Sequence, residues 1–292
     1  MNSNEWPLVF FTILSQISLG IILAAFIVSF VVKSTDTPAI SEIKRLVVIA
    51  ALSLMGIALI ISFFHLASPQ HSVYALSNTG QSWLSREIAL AMMYFFTLLI
   101  ALSSLTIGVP HSNLFGYFFL TSLLVGVIMI WSMIRVYMIP TVPLWNSPST
   151  AVSFYNTALM LGGALVLIFV VKAGSRTAPL PESGLIQTVL FYLIAASVFI
   201  FLLNKLMLQP DIASISGGFA APAISKWWES AQYVLLIIGF SLLTYWFATS
   251  DPVSGGGNTA REFLVYSAAA CLLLAEIAGR YVFYASYYRI GV

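Results

Sequence analysis

Residues 8–32 read LVFFTILSQISLGIILAAFIVSFVV, twenty-five positions without a charged side chain. About 20 apolar residues suffice to carry an α-helix across the roughly 30 Å hydrocarbon core of a bilayer. The run is too long for a signal-peptide core, and the residues before it hold Glu5 but no Lys or Arg. It therefore reads as a retained first helix. Apolar runs of this kind recur along the sequence, continuous rather than alternating every second residue, which favours helices over a barrel.

Eight spans are expected, at 8–32, 46–66, 87–109, 113–138, 151–172, 185–207, 227–248 and 262–284. The connections carry turn and breaker signals: Thr35-Asp36-Thr37-Pro38, Ser68-Pro69, Val109-Pro110, Pro140 to Pro148, Pro179 to Pro181, Gln209-Pro210-Asp211 and Ser254 to Gly257. The fold expected is an all-α, polytopic bundle of eight transmembrane helices forming one transmembrane domain over residues 1–292. Composition agrees: 60% of residues are hydrophobic and 8% charged, with a mean hydropathy of +0.98, whereas soluble domains carry roughly a quarter charged residues. The net charge of +2 is too small to suggest nucleic acid. The lone cysteine, Cys271, cannot by itself make an intrachain disulfide, a zinc site or an iron–sulfur cluster. No metal site is expected.

An even number of spans puts both termini on one side of the membrane. With the termini outside, the inner connections and flanks hold six basic residues, Lys33, Lys44, Arg45, Lys172, Arg176 and Arg261. The outer side holds three, Lys205, Lys226 and Arg289. The excess of Lys and Arg in cytoplasmic loops favours this orientation. Arg86, Arg135 and Arg280 are set aside because they fall at helix ends.

Charge is scarce in such a protein, and intramembrane ionisable residues mark function by default. Six of them lie in or beside the apolar runs: His65, Arg86, Glu87, Arg135, Glu276 and Arg280. Alternating helix direction brings them to one end of the bundle, joined there by Asn204, Lys205 and Glu229. Each has a plainer reading. Glu276 and Arg280 stand i,i+4 with the acid first, as an intrahelical ion pair would. Arg86 and Arg135 could snorkel to headgroups, and Glu87 could favour the positive end of its helix. Asn204, Lys205 and Glu229 fit an interface. His65, after Phe63-Phe64 and before Leu66-Ala67-Ser68-Pro69, is harder to dismiss. A neutral imidazole beside a carboxylate suits coupled proton and electron transfer from a hydroquinone, accepting a hydrogen bond from a ring hydroxyl and then its proton. Haem is not expected, since axial histidines would be needed deep in the bundle and His65 sits at an end.

At these residues the sequence resembles the anchor subunit of bacterial dimethyl sulfoxide reductase, within the wider group of quinol-oxidising membrane subunits related to polysulfide reductase anchors. The matching stretches are Glu5-Trp6-Pro7-Leu8 with Gln16 and Gly20, His65-Leu66-Ala67-Ser68-Pro69, Leu84-Ser85-Arg86-Glu87-Ile88, Arg135-Val136-Tyr137 with Thr141-Val142-Pro143, and Glu276-Ile277-Ala278-Gly279-Arg280 with Val282-Phe283-Tyr284. Helices five to seven match by hydropathy and by Gly162-Gly163.

The resemblance implies a multi-pass subunit of an oxidoreductase complex in the bacterial inner membrane. An iron–sulfur subunit of the four-cluster type and a molybdopterin catalytic subunit, which reduces the terminal substrate, would dock on the outer face. This protein would hold them to the lipid and oxidise menaquinol, with His65 and Glu87 as the reacting groups and Arg86, Arg135 and Tyr137 as further quinol contacts. Two other readings compete. A small-solute transporter predicts polar residues at the bilayer midplane and paired broken helices. A purely structural anchor would use the polar end only to bind its partner.

Overall fold

The computed structural model describes residues 6–32, 38–63, 76–106, 113–176, 182–208, 226–249 and 259–287. The eight expected helices are present: α1 Trp6–Val31, α2 Pro38–Phe63, α3 Trp83–Thr106, α4 Leu114–Tyr137, α5 Pro148–Arg176, α6 Ser183–Leu203, α7 Lys226–Thr249 and α8 Thr259–Ala285. All eight are long and apolar enough to cross a membrane. Among the described residues there is no strand.

Helix ends depart from the expected spans where charge interrupts hydropathy. Hydropathy starts the second span at 46, yet α2 begins at Pro38, so the charged turn Ser41-Glu42-Ile43-Lys44-Arg45 is helical. Proline fits a first helical turn, where its missing N–H has no partner to lose. The third helix begins at Trp83 rather than 87, which puts Glu87 one turn inside instead of at the first position. At the end of α6 the coil widens into a π-helical turn, Asn204–Leu208, a distortion found often at functional sites.

Two helices form the axis of the bundle. Helix α1 packs against α2, α4, α5, α6 and α8, and α5 touches α1, α2, α4, α6 and α8. The α3–α4 and α7–α8 hairpins flank this axis on either side. Close approach of α1 and α5 follows from glycine: a Cβ built on Gly20 would land on the Ala158 carbonyl, and one on Gly162 would land on the Gly20 backbone. Small residues favour such contacts, because in lipid helices associate by close packing rather than by a hydrophobic driving force. Of the buried polar side chains of α1, Ser15 donates to the Phe11 carbonyl of its own helix, whereas Gln16 and Ser18 bond outward. Ser18 Oγ donates to the Ala51 carbonyl of α2 at 2.7 Å and lies 3.2 Å from the Tyr94 hydroxyl of α3.

Candidate functional site

One end of the bundle gathers the end halves of α4, α6 and α8 with the starting halves of α1, α3, α5 and α7. His65 and the flanking Leu66-Ala67-Ser68-Pro69 lie outside the described residues; α2 is described to Phe63, two positions before the histidine. The other expected residues divide into two groups.

Arg86 and Arg135 meet at Trp83, not in the interior. The Arg86 guanidinium stands 4.4 Å from the Trp83 ring centroid and donates from Nε to the Thr79 carbonyl at 2.7 Å and from Nη2 to the Gly80 carbonyl at 2.6 Å. It closes the turn that leads into α3. Arg135, in the last turn of α4, lies 5.3 Å from the same ring, and its Nε is buried without a hydrogen-bond partner. Ser132 Oγ donates to the Trp83 carbonyl at 3.1 Å and ties α4 to the head of α3.

Glu87, by contrast, is buried. It is 3% exposed and interacts electrostatically with Tyr137 and Tyr284. The two phenols are joined directly, Tyr284 Oη donating to Tyr137 Oη at 2.7 Å. An aromatic box holds them: the Tyr137 ring meets Trp145, Phe154, Phe283 and Tyr284 at centroid distances of 5.5–5.7 Å. Trp145 stacks on Phe283 and donates Nε1 to the Phe283 carbonyl at 2.8 Å, which locks the α4–α5 connection onto the end of α8. Tyr137 is therefore a buried neighbour of Glu87, and Tyr284 is its partner.

One and two turns deeper in α8 come Arg280 and Glu276, both buried. Arg280 donates Nη2 to Gln16 Oε1 of α1 at 2.7 Å and to Thr157 Oγ1 of α5 at 3.4 Å, while its guanidinium covers the Phe154 ring at 3.9 Å. Thr157 Oγ1 donates to Glu276 Oε2 at 2.6 Å. The i,i+4 pair is thus bridged by a threonine from another helix. Glu276 lies nine residues before the end of α8, roughly 14 Å along the helix at 1.5 Å per residue, so the polar groups reach well into the bundle.

Gln16 is visible in the sequence only as part of a family motif. Thr157, Asn156 and Gln232 escape a reading confined to ionisable side chains, although amides and hydroxyls in apolar runs carry the same signal at lower strength. Asn204 and Lys205, which the sequence places at an interface, line a polar cavity with them.

Fold and site together define a polytopic membrane protein with a buried polar network laid across its helices near one end. The family model described as DMSO reductase anchor subunit (DmsC) matches residues 1–285, and the protein belongs to that family. It is 28% identical over 293 residues to the anaerobic dimethyl sulfoxide reductase chain YnfH of Escherichia coli strain K12, covering 99% of this sequence and 97% of the relative. The C polypeptide of anaerobic dimethyl sulfoxide reductase from the same strain is 28% identical over 299 residues, again with 99% and 97% covered. The C polypeptide of the Haemophilus influenzae reductase is 33% identical over 163 residues, 54% of this sequence and 56% of that one. No solved structure matches. The protein is accordingly a multi-pass membrane anchor of a DMSO reductase complex, associated with its catalytic and iron–sulfur subunits.

Proposed function

We propose that this anchor is also the quinol-oxidising subunit of its complex, taking electrons from menaquinol and passing them to the iron–sulfur subunit. The observation that carries this reading is Glu87: a carboxyl buried in a membrane bundle, one turn into α3, beside a hydrogen-bonded pair of phenols. A buried carboxyl is expensive to keep in lipid unless it works, and proton acceptance from a hydroquinone is work that a carboxyl and phenols can share.

In the reaction the quinol hydroxyls give up two protons and the ring two electrons. His65, at the end of α2 by sequence, accepts a hydrogen bond from one hydroxyl and then its proton. Glu87 takes the other; His65 then releases its proton to water and Glu87 passes its own on through neighbouring polar groups and water, so both groups return to the unprotonated state. The electrons leave to the nearest cluster of an iron–sulfur subunit of the four-cluster type, which docks with the molybdopterin subunit on the outer face of the bacterial inner membrane. Arg135, with its unpartnered Nε beside Trp83, and Arg86 frame the rim of this site. Protons and electrons then leave on one side, and the subunit builds no proton gradient of its own.

Replacing His65 with Ala in the assembled complex tests the assignment. General base removal slows a proton-transfer step by roughly 10²–10⁴-fold, so quinol-driven reduction should collapse while electron delivery from a soluble dye donor to the catalytic subunit persists. Unchanged quinol turnover would sink the assignment and leave a purely structural anchor.

A further inference from the structure

A polar cavity of about 100 Å³ opens among α5, α6, α7 and α8, lined by Glu276 and Arg280 of the network but not by Glu87. Its polar lining includes Asn156, Asn204, Lys205, Gln232, Glu276 and Arg280. Three amide oxygens there are buried without a partner: Asn156 Oδ1, Asn204 Oδ1 and Gln232 Oε1. Each of these residues is 4% exposed. The Asn204 amide is oriented by its own bond, Nδ2 donating to the Ser149 carbonyl at 3.4 Å. Three unfilled acceptors converging on one space call for donors, since buried polar groups are almost always bonded.

Size decides which donors. Small-molecule sites run to roughly 300–1,000 Å³, and this cavity is smaller. Water fits: one molecule needs only about 10–15 Å³ of such space and two to four polar partners, so the cavity holds a small cluster. Lys205 and Arg280 supply N–H donors, and Glu276 and the three amides supply acceptors, for such a cluster.

We propose that this cavity is a hydrated proton-release chamber in which Glu276 carries protons from the Tyr137–Tyr284 side of the network to the bundle end at Lys205 and Glu229. The proposal rests on the quinol-oxidising reading. Its proton balance is simple. A quinol O–H proton moves to the Glu87 carboxylate; each phenol of the tyrosine pair accepts one proton and releases its own; water linking the tyrosine pair to the cavity passes the proton to the Glu276 carboxylate, which releases it to water at the Lys205 end. The electrons take the separate route to the iron–sulfur subunit. Arg280 stays protonated throughout and serves as a positioning residue, holding Thr157 against Glu276. Phe283, just before Tyr284, and Ser286, just past the end of α8, line the cavity, and Trp145 Nε1 stands 3.3 Å from Ser286 Oγ. Electrostatic interaction runs along the whole series: Glu87 with both tyrosines, these with Arg280, Arg280 with Glu276, Glu276 with Lys205, and Lys205 with Glu229. The charged groups facing Glu276 are Arg280 on its own helix and Lys205 from the π turn of α6; α5 and α7 face it with the uncharged Asn156, Thr157 and Gln232.

The assembled complex in native membranes provides the test, with quinol-analogue turnover followed across pH and binding of a fluorescent quinol-site inhibitor measured in parallel. E276Q should lower turnover roughly ten-fold or more, the low end of what a lost acid–base group removes, and change the shape of the pH profile, with inhibitor affinity kept. E276D should restore part of the rate and the parent profile. Q232L leaves the carboxyl but removes a water partner, and should also slow turnover. E276Q at the parent rate and profile would overturn the chamber, as would E276Q and E276D equally slow with the parent profile, because both describe a structural residue. If E276Q fails to assemble, Q232L decides alone: parent turnover overturns the proposal. A parent complex that does not bind the inhibitor would instead undo the quinol reading, so the two failures are separable.

Discussion

A guanidinium among apolar helices needs acceptors for the N–H groups that leave water, and Arg280 Nη2 finds two, on two other helices. Gln16 and Thr157 accept from it, and the ring of Phe154 covers its face. Gln16 has its second group spent as well, with Nε2 3.9 Å from Met133 Sδ on α4. One side chain of α8 therefore fixes α1, α5 and, at one remove, α4. Removing one partner of a buried charge pair typically destabilises by about 3–5 kcal/mol, whereas replacing both with apolar groups is often neutral. Arg280→Met should accordingly lower the thermal stability of the purified complex markedly, and the double variant Arg280→Met/Glu276→Leu should regain part of the loss. Circular dichroism melts of the detergent-solubilised complex would show both. A single variant as stable as the parent would mean that the guanidinium holds nothing together.

At the scale of helices, a reading of the sequence recovers what hydropathy records. Eight spans are legible because each apolar run is bounded by Pro, Gly or charge, and the misplaced starts of α2 and α3 are places where charged or polar residues sit within the first helical turns. Neighbourhood is not legible. Nothing in the run of α8 announces that Glu276 will meet a threonine of α5, because in lipid every helix face is apolar and no amphipathic stripe marks the side turned inward. The site is half legible for the same reason: Glu87 stands out as an ionisable group, and Tyr137 and Gln16 only through the family motif, while Thr157, Asn156 and Gln232 become conspicuous only once the helices are seen to meet. Gly20 and Gly162 are the sequence's trace of that contact. Gly20→Leu should prevent close packing of α1 on α5, since its Cβ would meet Ala158 backbone rather than a side chain that can swing away. Membrane levels of the variant should fall sharply. Gly174→Ala is the control: open space surrounds a Cβ there, and alanine in a helix is favoured over glycine by about 0.5–1 kcal/mol, so its level should match or exceed the parent's. Equal levels for both variants would show that the α1–α5 crossing does not need the glycine.

For the whole molecule, sidedness links the network to the complex. The ends of α4, α6 and α8 share one face with the start of α3, because successive spanning helices run antiparallel, and this face carries Arg86, Arg135, Lys205 and Lys226. The opposite face carries Lys44 and Arg45 in the first turns of α2, Lys172 in the last turns of α5 and Arg261 in the first turn of α8. With Arg86 and Arg135 set aside as helix-end residues, the excess of Lys and Arg lies opposite the network, as on cytoplasmic ends; on the quinol-oxidising reading proposed above, the polar network then sits toward the outside and the partner subunits dock there. Cysteine accessibility tests this without disturbing the network. In a Cys271→Ser background, which removes the lone native thiol, the single variants Lys44→Cys and Lys226→Cys are exposed to a membrane-impermeant thiol reagent in intact spheroplasts. The reagent should modify the Lys226→Cys protein and leave the Lys44→Cys protein untouched until the membrane is permeabilised. The reverse pattern would turn the bundle over, place the Glu87 and Glu276 groups toward the cytoplasm, and require the iron–sulfur partner to dock there.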